Sequence, residues 1–269
     1  MLTAFSIYLK RLRLLLRFYI RAKTKYQVHS PFVFDWVRMV LENKEKPQAG
    51  ALIEQRRREL LRSRLEVPHI DFGTGTNRQT TLGGIARRAS SNRTKGRMLY
   101  RMAWWWKATQ VLELGTSLGL GTAYLASGTS GQVTTIEGCP DCATRARKTL
   151  EIAGLEASVL EGSFESVLEK ELSGPQSPDF IYIDGNHQSD ALERYVNLCL
   201  MHAGSRLCLV LDDIYWSEDM HEGWERLKNR PDILLSIDCC FFGLLIFTPE
   251  RMAKQHFDLV PFWWKPWRI

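Results

Sequence analysis

The chain has no uninterrupted apolar run near the roughly 18 to 20 residues that a membrane-crossing helix requires. Its apolar beginning is broken by Lys10, Arg11, Arg13 and Arg17. We therefore expect neither a transmembrane span nor a cleaved signal. The six cysteines sit in apolar runs rather than in a loop-rich framework, which excludes a disulfide scaffold and favours reduced thiols in a cytoplasmic setting. Cys139-Pro-Asp-Cys142 has the spacing of a zinc or redox pair, but no second such pair exists to complete a zinc site, and ordinary packing is the simpler reading. Internal repeats and low-complexity tracts are also lacking. With 45% hydrophobic residues in 269, the chain is long enough and apolar enough to bury a full core, so disorder does not describe it.

Acidic residues are scarce in one half. Residues 1–107 contain 23 Lys and Arg against 7 Asp and Glu, a formal +16; residues 108–269 contain 13 against 23, a formal −10. The overall +6 thus conceals two unlike parts, and a boundary is expected near 107, after "MAWWWK".

The second part alternates short apolar runs with helix-like stretches. "TQVLELG", "QVTTIEG", "ASVLEG", "DFIYIDG" and "LCLVLDD" each carry an acid at or near the end, and such alternation implies crossover connections and a parallel sheet. "ILLSIDCC" and "FGLLIFTP" have almost nothing between them and should form an antiparallel pair closing that sheet.

Two glycine-rich segments compete for a nucleotide-binding role. Such a loop works when a strand delivers the chain to a tight turn and a helix begins at once, so that exposed amides face the ligand. "VLELGTSLGLGTAYLA" has that order, and the following strand ends at Glu137, 24 residues after Glu113, where a carboxylate can accept both hydroxyls of a ribose. "DFGTGT", residues 71–76, has only "VPHI" before it, with a proline in the way. We read it as a structured loop of the basic part that shapes the wall over the active site.

The spacing E-x-G-x-x-x-G resembles the first motif of class I S-adenosylmethionine-dependent methyltransferases rather than a dinucleotide fingerprint. The resemblance implies a Rossmann-like, seven-stranded, mostly parallel sheet with a terminal antiparallel strand pair, preceded here by the mainly helical extension 1–107. Residues 108–269 are then the methyltransferase domain. It also implies a cofactor site at Glu113, Gly115, Thr116, Ser117, Gly119, Glu137, Gly138 and Asp184, with Ser163 and Phe164 beside the adenine. "HSPFVFDWV", "DFGTGT", "VLELGTSLGLGT", "TIEGCP", "IDGNH" and "LDDIYWSEDM" further resemble a Bacteroidota group of these enzymes over roughly residues 26–260.

"DFIYIDGNH" and "LVLDDIYW" are similar to segments of the catechol O-methyltransferase-like enzymes, which hold a divalent cation at these strand ends. By that resemblance Asp184, Asp212 and Asp213 would hold Mg2+ or another divalent cation, and three hard oxygen donors suit such an ion; helix capping and loop ordering are the other uses of strand-end aspartates. Those enzymes place a lysine base three residues after the first metal aspartate. His187 occupies that position, and a histidine can accept a hydroxyl proton near neutral pH, while a purely structural histidine is the alternative. His187 and Asp184 are the catalytic candidates.

At helical spacing, Phe5, Leu9, Leu12, Leu16 and Tyr19 share one face, and Lys10, Arg13, Arg17 and Arg21 another. This basic amphipathic helix could pack on its own domain, on a second subunit of a homo-oligomer, or on an anionic membrane surface. The tail "PFWWKPWRI" suits an interface of either kind. Two functions compete: O-methylation of a small-molecule or lipid acceptor, and action on nucleic acid or another anionic macromolecule through the +16 half, with a non-catalytic cofactor-binding relative as a further alternative. "DGNH" stands where base-amino methyltransferases usually carry a "PPY"-type motif, which favours the first.

Overall fold

The computed structural model describes residues 2–71, 76–248 and 253–268. Its elements, in chain order, are α1 (Leu2–Arg21), α2 (Pro31–Trp36), α3 (Gly50–Arg62), β1 (Glu66–Asp71), β2 (Thr76–Thr81), α4 (Leu82–Arg88) and α5 (Arg93–Trp106). There follow β3 (Gln110–Leu114), α6 (Leu120–Gly128), β4 (Gln132–Glu137), α7 (Pro140–Ala153), β5 (Ser158–Glu161), α8 (Phe164–Leu172) and β6 (Phe180–Ile183). The last are α9 (Ser189–Met201), β7 (Leu207–Asp212), α10 (Glu218–Asn229), β8 (Leu235–Asp238), β9 (Phe242–Phe247) and β10 (Gln255–Asp258).

Two compact units share these elements. One comprises Glu45–Asn186 with His202–Gly204; the other comprises the residues up to Lys44, His187–Met201, and those from Ser205 onward. The charge step at 107 falls at a chain junction: Lys107 ends α5 in the left-handed conformation (φ 56°). The compact units divide elsewhere, at 44/45 and 186/187.

In the first unit β3 lies between β4 and β6, β4 pairs on to β5, and every pairing is parallel. All four residues of β6 are buried, as expected of a parallel strand covered on both faces. The chain passes from β3 outward to β4 and β5, then returns through α8 to the opposite side of β3. The gap between the carboxyl ends of β3 and β6 is therefore the point where strand order reverses, the usual ligand position in such sheets.

Much of the basic extension belongs to this same unit. Ile53, Leu60, Val67, Leu82, Ile85 and Tyr100 share a core cluster with Leu118, Leu120 and Tyr124. The extension is mainly helical, with one exception: β1 and β2 form an antiparallel hairpin with Pro68 opposite Gln79. An edge strand tolerates a proline because its missing N–H need not face a partner. "DFGTGT" is the connection of that hairpin; residues 72–75, with Gly73 and Gly75, lie outside the described residues.

In the other unit β9 is antiparallel to both β7 and β8, so the terminal antiparallel pair forms as the sequence implies. β10 runs parallel to β8 and makes an eighth strand where the reading gave seven. Its residues, Gln-His-Phe-Asp, are exposed or half-buried and carry no apolar run to announce it. No helix among the described residues is long and apolar enough to cross a membrane.

Helix α1 forms as expected, but the face it buries differs from the simplest expectation. Phe18 is buried and meets the Tyr215 ring edge-on at 5.7 Å, whereas Leu9, Leu12 and Leu16 remain exposed. The periodicity defines the stripe; it does not define which side of the helix packs.

Candidate functional site

The turn after β3 is built by close backbone approach. Gly115 donates its N–H to the Ile136 carbonyl (3.0 Å), and Asp184 donates its own to the Leu114 carbonyl (2.8 Å), which extends the ladder past β3 on both sides. Gly115 has φ 104°, and a Cβ there would stand 1.9 Å from the Asp184 carbonyl oxygen, so only glycine fits. Ser117 follows at φ 50° and Gly119 at φ 75°, and α6 starts at Leu120.

A cavity opens at this turn, lined by Glu113, Gly115, Thr116, Ser117, Leu120, Gly121 and Asp184, and by Ala89, Ser90 and Ser91. The structure thus brings together five of the cofactor candidates. Glu137 joins them by accepting the Ser117 N–H at 2.7 Å on one carboxylate oxygen and the Cys139 N–H at 2.8 Å on the other. The acid expected at the strand end also ties both flanking turns to β4. Gly138 follows Glu137 in the turn that leads from β4 to α7. Ser163 is the N-cap residue of α8, and a Cβ on Gly185 would lie 2.9 Å from the Phe164 ring, which places that ring against the "DGNH" backbone.

Glu113 is buried to 1% exposure. Its carboxylate accepts from the Thr135 hydroxyl at 2.7 Å and from Thr122, and Thr135 also meets Thr116 at 2.6 Å. Burial pushes the carboxyl up to about 7, against the pull of the Thr122 and Thr135 hydroxyls, and the charge of Glu137 adds to the rise. This folded-state value lies above the ordinary 4.5. The contribution to stability is therefore fully present at low pH and is lost as pH climbs from about 4.5 through 7. Glu113→Gln should abolish that decline, and chemical denaturation at pH 5 and pH 8 measures it.

Sequence reading missed Ala89, Ser90 and Ser91, which come from the basic extension. Ser90 and Ser117 hydroxyls stand 3.3 Å apart, and the Arg57 guanidinium, itself paired with Glu54 at 3.1 Å, donates to the Ser91 carbonyl. The available signal was Asn92, which caps α5 by accepting from the N–H groups of Thr94 and Lys95 and so marks a fixed turn just before the helix.

His187, Asp212 and Asp213 belong to the other unit. The His187 ring lies 5.5 Å from that of Trp216 at 33°, and the Arg11 guanidinium is 5.3 Å from the same indole. Asp212 is buried and accepts the Asp213 N–H at 2.8 Å; Asp213 has φ 51°. Asp184, in the first unit, accepts from the Tyr182 hydroxyl at 3.1 Å. Among the described residues no group of three or more His, Cys, Asp or Glu side chains is arranged to hold a metal. None of the six cysteines is in a disulfide, and the hydrogen bond with Cys139, together with burial, pushes the Cys142 thiol far up.

Residues 112–214 match a family model described as a methyltransferase domain. No curated protein matches the chain. Among solved structures, the SAH-bound methyltransferase of Podospora anserina aligns with a TM-score of 0.59 at 18% identity, over 83% of this chain and 98% of that one. The O-methyltransferase of Bacillus cereus in complex with SAH gives 0.56 at 20%, over 81% and 97%. TomG of Streptomyces achromogenes, an O-methyltransferase involved in tomaymycin synthesis and bound to SAM, gives 0.56 at 18%, over 80% and 94%. Residues 112–214 thus match a methyltransferase domain, and the fold that surrounds them is shared with these solved methyltransferases.

Proposed function

We propose that the protein transfers the methyl group of S-adenosylmethionine to a hydroxyl of a small-molecule or lipid acceptor. The carrying observation is the glycine turn at the carboxyl ends of β3 and β6, where Gly115 stands against the Asp184 backbone and a small cavity is lined by Gly115, Thr116, Ser117, the buried Glu113 and Asp184. The bound cofactor supplies a methyl group on a positively charged sulfur that is already a good leaving group. Glu113 and Asp184 would face its cationic methionine portion, Glu137 its ribose, and Ser163 and Phe164 its adenine. The solved O-methyltransferases that share this fold support transfer to oxygen. Residues 1–107 would complete the acceptor side, with Ala89–Ser91 as their contribution to the cavity wall.

The remaining task of the chain is to orient the acceptor hydroxyl and take its proton. As the acceptor oxygen bonds to the methyl carbon and the carbon–sulfur bond breaks, His187 would take the proton. No step is assigned to a metal. The three aspartates retain a chemistry suited to a divalent cation, and dialysis against chelator followed by an assay with and without added magnesium decides whether one takes part.

Calorimetry with S-adenosylmethionine and its demethylated product tests the reading directly; a wild-type protein that binds neither would refute it. Glu137→Ala should weaken binding roughly 10- to 150-fold, the effect of losing charge-assisted hydrogen bonds. A second expectation follows from Glu113. If the ionised carboxylate is the binding form, affinity for either compound should rise on the order of tenfold between pH 6 and pH 8, and Glu113→Gln should flatten that profile.

A further inference from the structure

Helix α1 holds to its own unit by one side and leaves the other uncovered. The buried Phe18, the Lys10–Glu218 and Arg21–Asp258 ion pairs (2.7 and 3.1 Å) and Arg11 over Trp216 fix the packed side. On the opposite side Tyr8, Leu9, Leu12, Leu16 and Ile20 are between 43% and 72% exposed. At 100° per residue these five fall within an arc of about 120°, one continuous apolar stripe. The exposed Arg13 and Arg17 border it.

The C-terminal tail extends this surface. The Tyr19 hydroxyl donates to the Trp264 carbonyl at 2.7 Å, and the Lys265 ammonium donates to the Ala22 carbonyl at 2.7 Å, so the tail is tied to the end of α1. Its Trp263 and Trp267 are 47% and 70% exposed. An amphipathic helix with cations along one border and exposed tryptophans at its end has the composition of an interfacial element.

We infer that this face docks on an anionic lipid surface, with α1 lying in the headgroup plane. Charge selects the occupant. Helix α1 carries five basic residues and no acidic one, and two of them, Arg13 and Arg17, stand exposed beside the stripe. A second copy meeting it face to face would set two such cationic helices together, whereas a bilayer rich in acidic headgroups satisfies the cations and the leucines at once. This goes beyond the methyl-transfer reading and does not depend on it.

The test is vesicle flotation of the full chain with phosphatidylcholine alone and with phosphatidylcholine mixed with phosphatidylglycerol, beside sedimentation velocity without lipid. Binding to the mixed vesicles only, weakened by salt, is expected. Arg13→Gln/Arg17→Gln should lower partitioning about 30-fold, some fivefold per cation. Leu12→Ser/Leu16→Ser should lower it roughly tenfold or more. These positions are exposed, so the midpoint of thermal unfolding should be unchanged and reports folding independently. Wild-type partitioning in either double variant would overturn the inference. So would absence of vesicle binding, including the case of a dimer that the two serine substitutions disperse, which would assign the stripe to a second copy.

Discussion

Gly115→Ala should cost on the order of 4 kcal/mol of stability, a large part of the total for a domain of this size. Two terms act together. A φ of 104° lies outside the region an alanine adopts without strain, and the added methyl would meet the Asp184 carbonyl oxygen at 1.9 Å and its carbon at 2.8 Å. The neighbour cannot simply retreat, because Asp184 donates its N–H to Leu114 and Gly115 donates to Ile136. Relief would come from unpairing the strand ends that carry Glu113 and Asp184. The midpoint of thermal unfolding should fall on the order of 10 °C, and any folded fraction should bind cofactor poorly. A variant with wild-type melting and wild-type affinity would show that the turn does not hold the site in the way described.

The same turn shows how much the sequence discloses. Strand, glycine turn and helix are readable in order from "VLELGTSLGLGTAYLA", since each depends on local chemistry: an apolar run ending in an acid, residues that tolerate positive φ, and good helix formers. The antiparallel setting of β9 is readable for a similar reason, as three residues between two apolar runs leave no length for a crossover. What escapes depends on distant partners. Ser90 and Ser91 reach the cavity because α5 packs on α6, with Gly96 so close to the Tyr124 ring that a Cβ would stand 2.4 Å away. Nothing in "RRASSN" itself reports that crossing. β10 pairs through its backbone while its side chains stay half-exposed, so periodicity is silent. Helix α1 shows the converse case, in which a clear stripe was legible but its partner was not.

Replacement of His187 by alanine should reduce turnover by about 10² to 10⁴ while cofactor affinity is kept. With the Trp216 indole beside the His187 ring, and Arg11 at 5.3 Å from the same indole, Trp216 would act as a positioning residue for a His187 base. Trp216→Ala should therefore lower turnover by less and preserve the pH profile. His187→Lys offers the sharper comparison. The enzymes that "DGNH" resembles carry lysine at this place, so partial recovery of turnover is expected if proton transfer is the role. If alanine leaves the rate and its pH dependence unchanged, His187 is a structural residue. Catalysis would then rest on orienting the acceptor against a donor that is already activated, a contribution that proximity alone can make large.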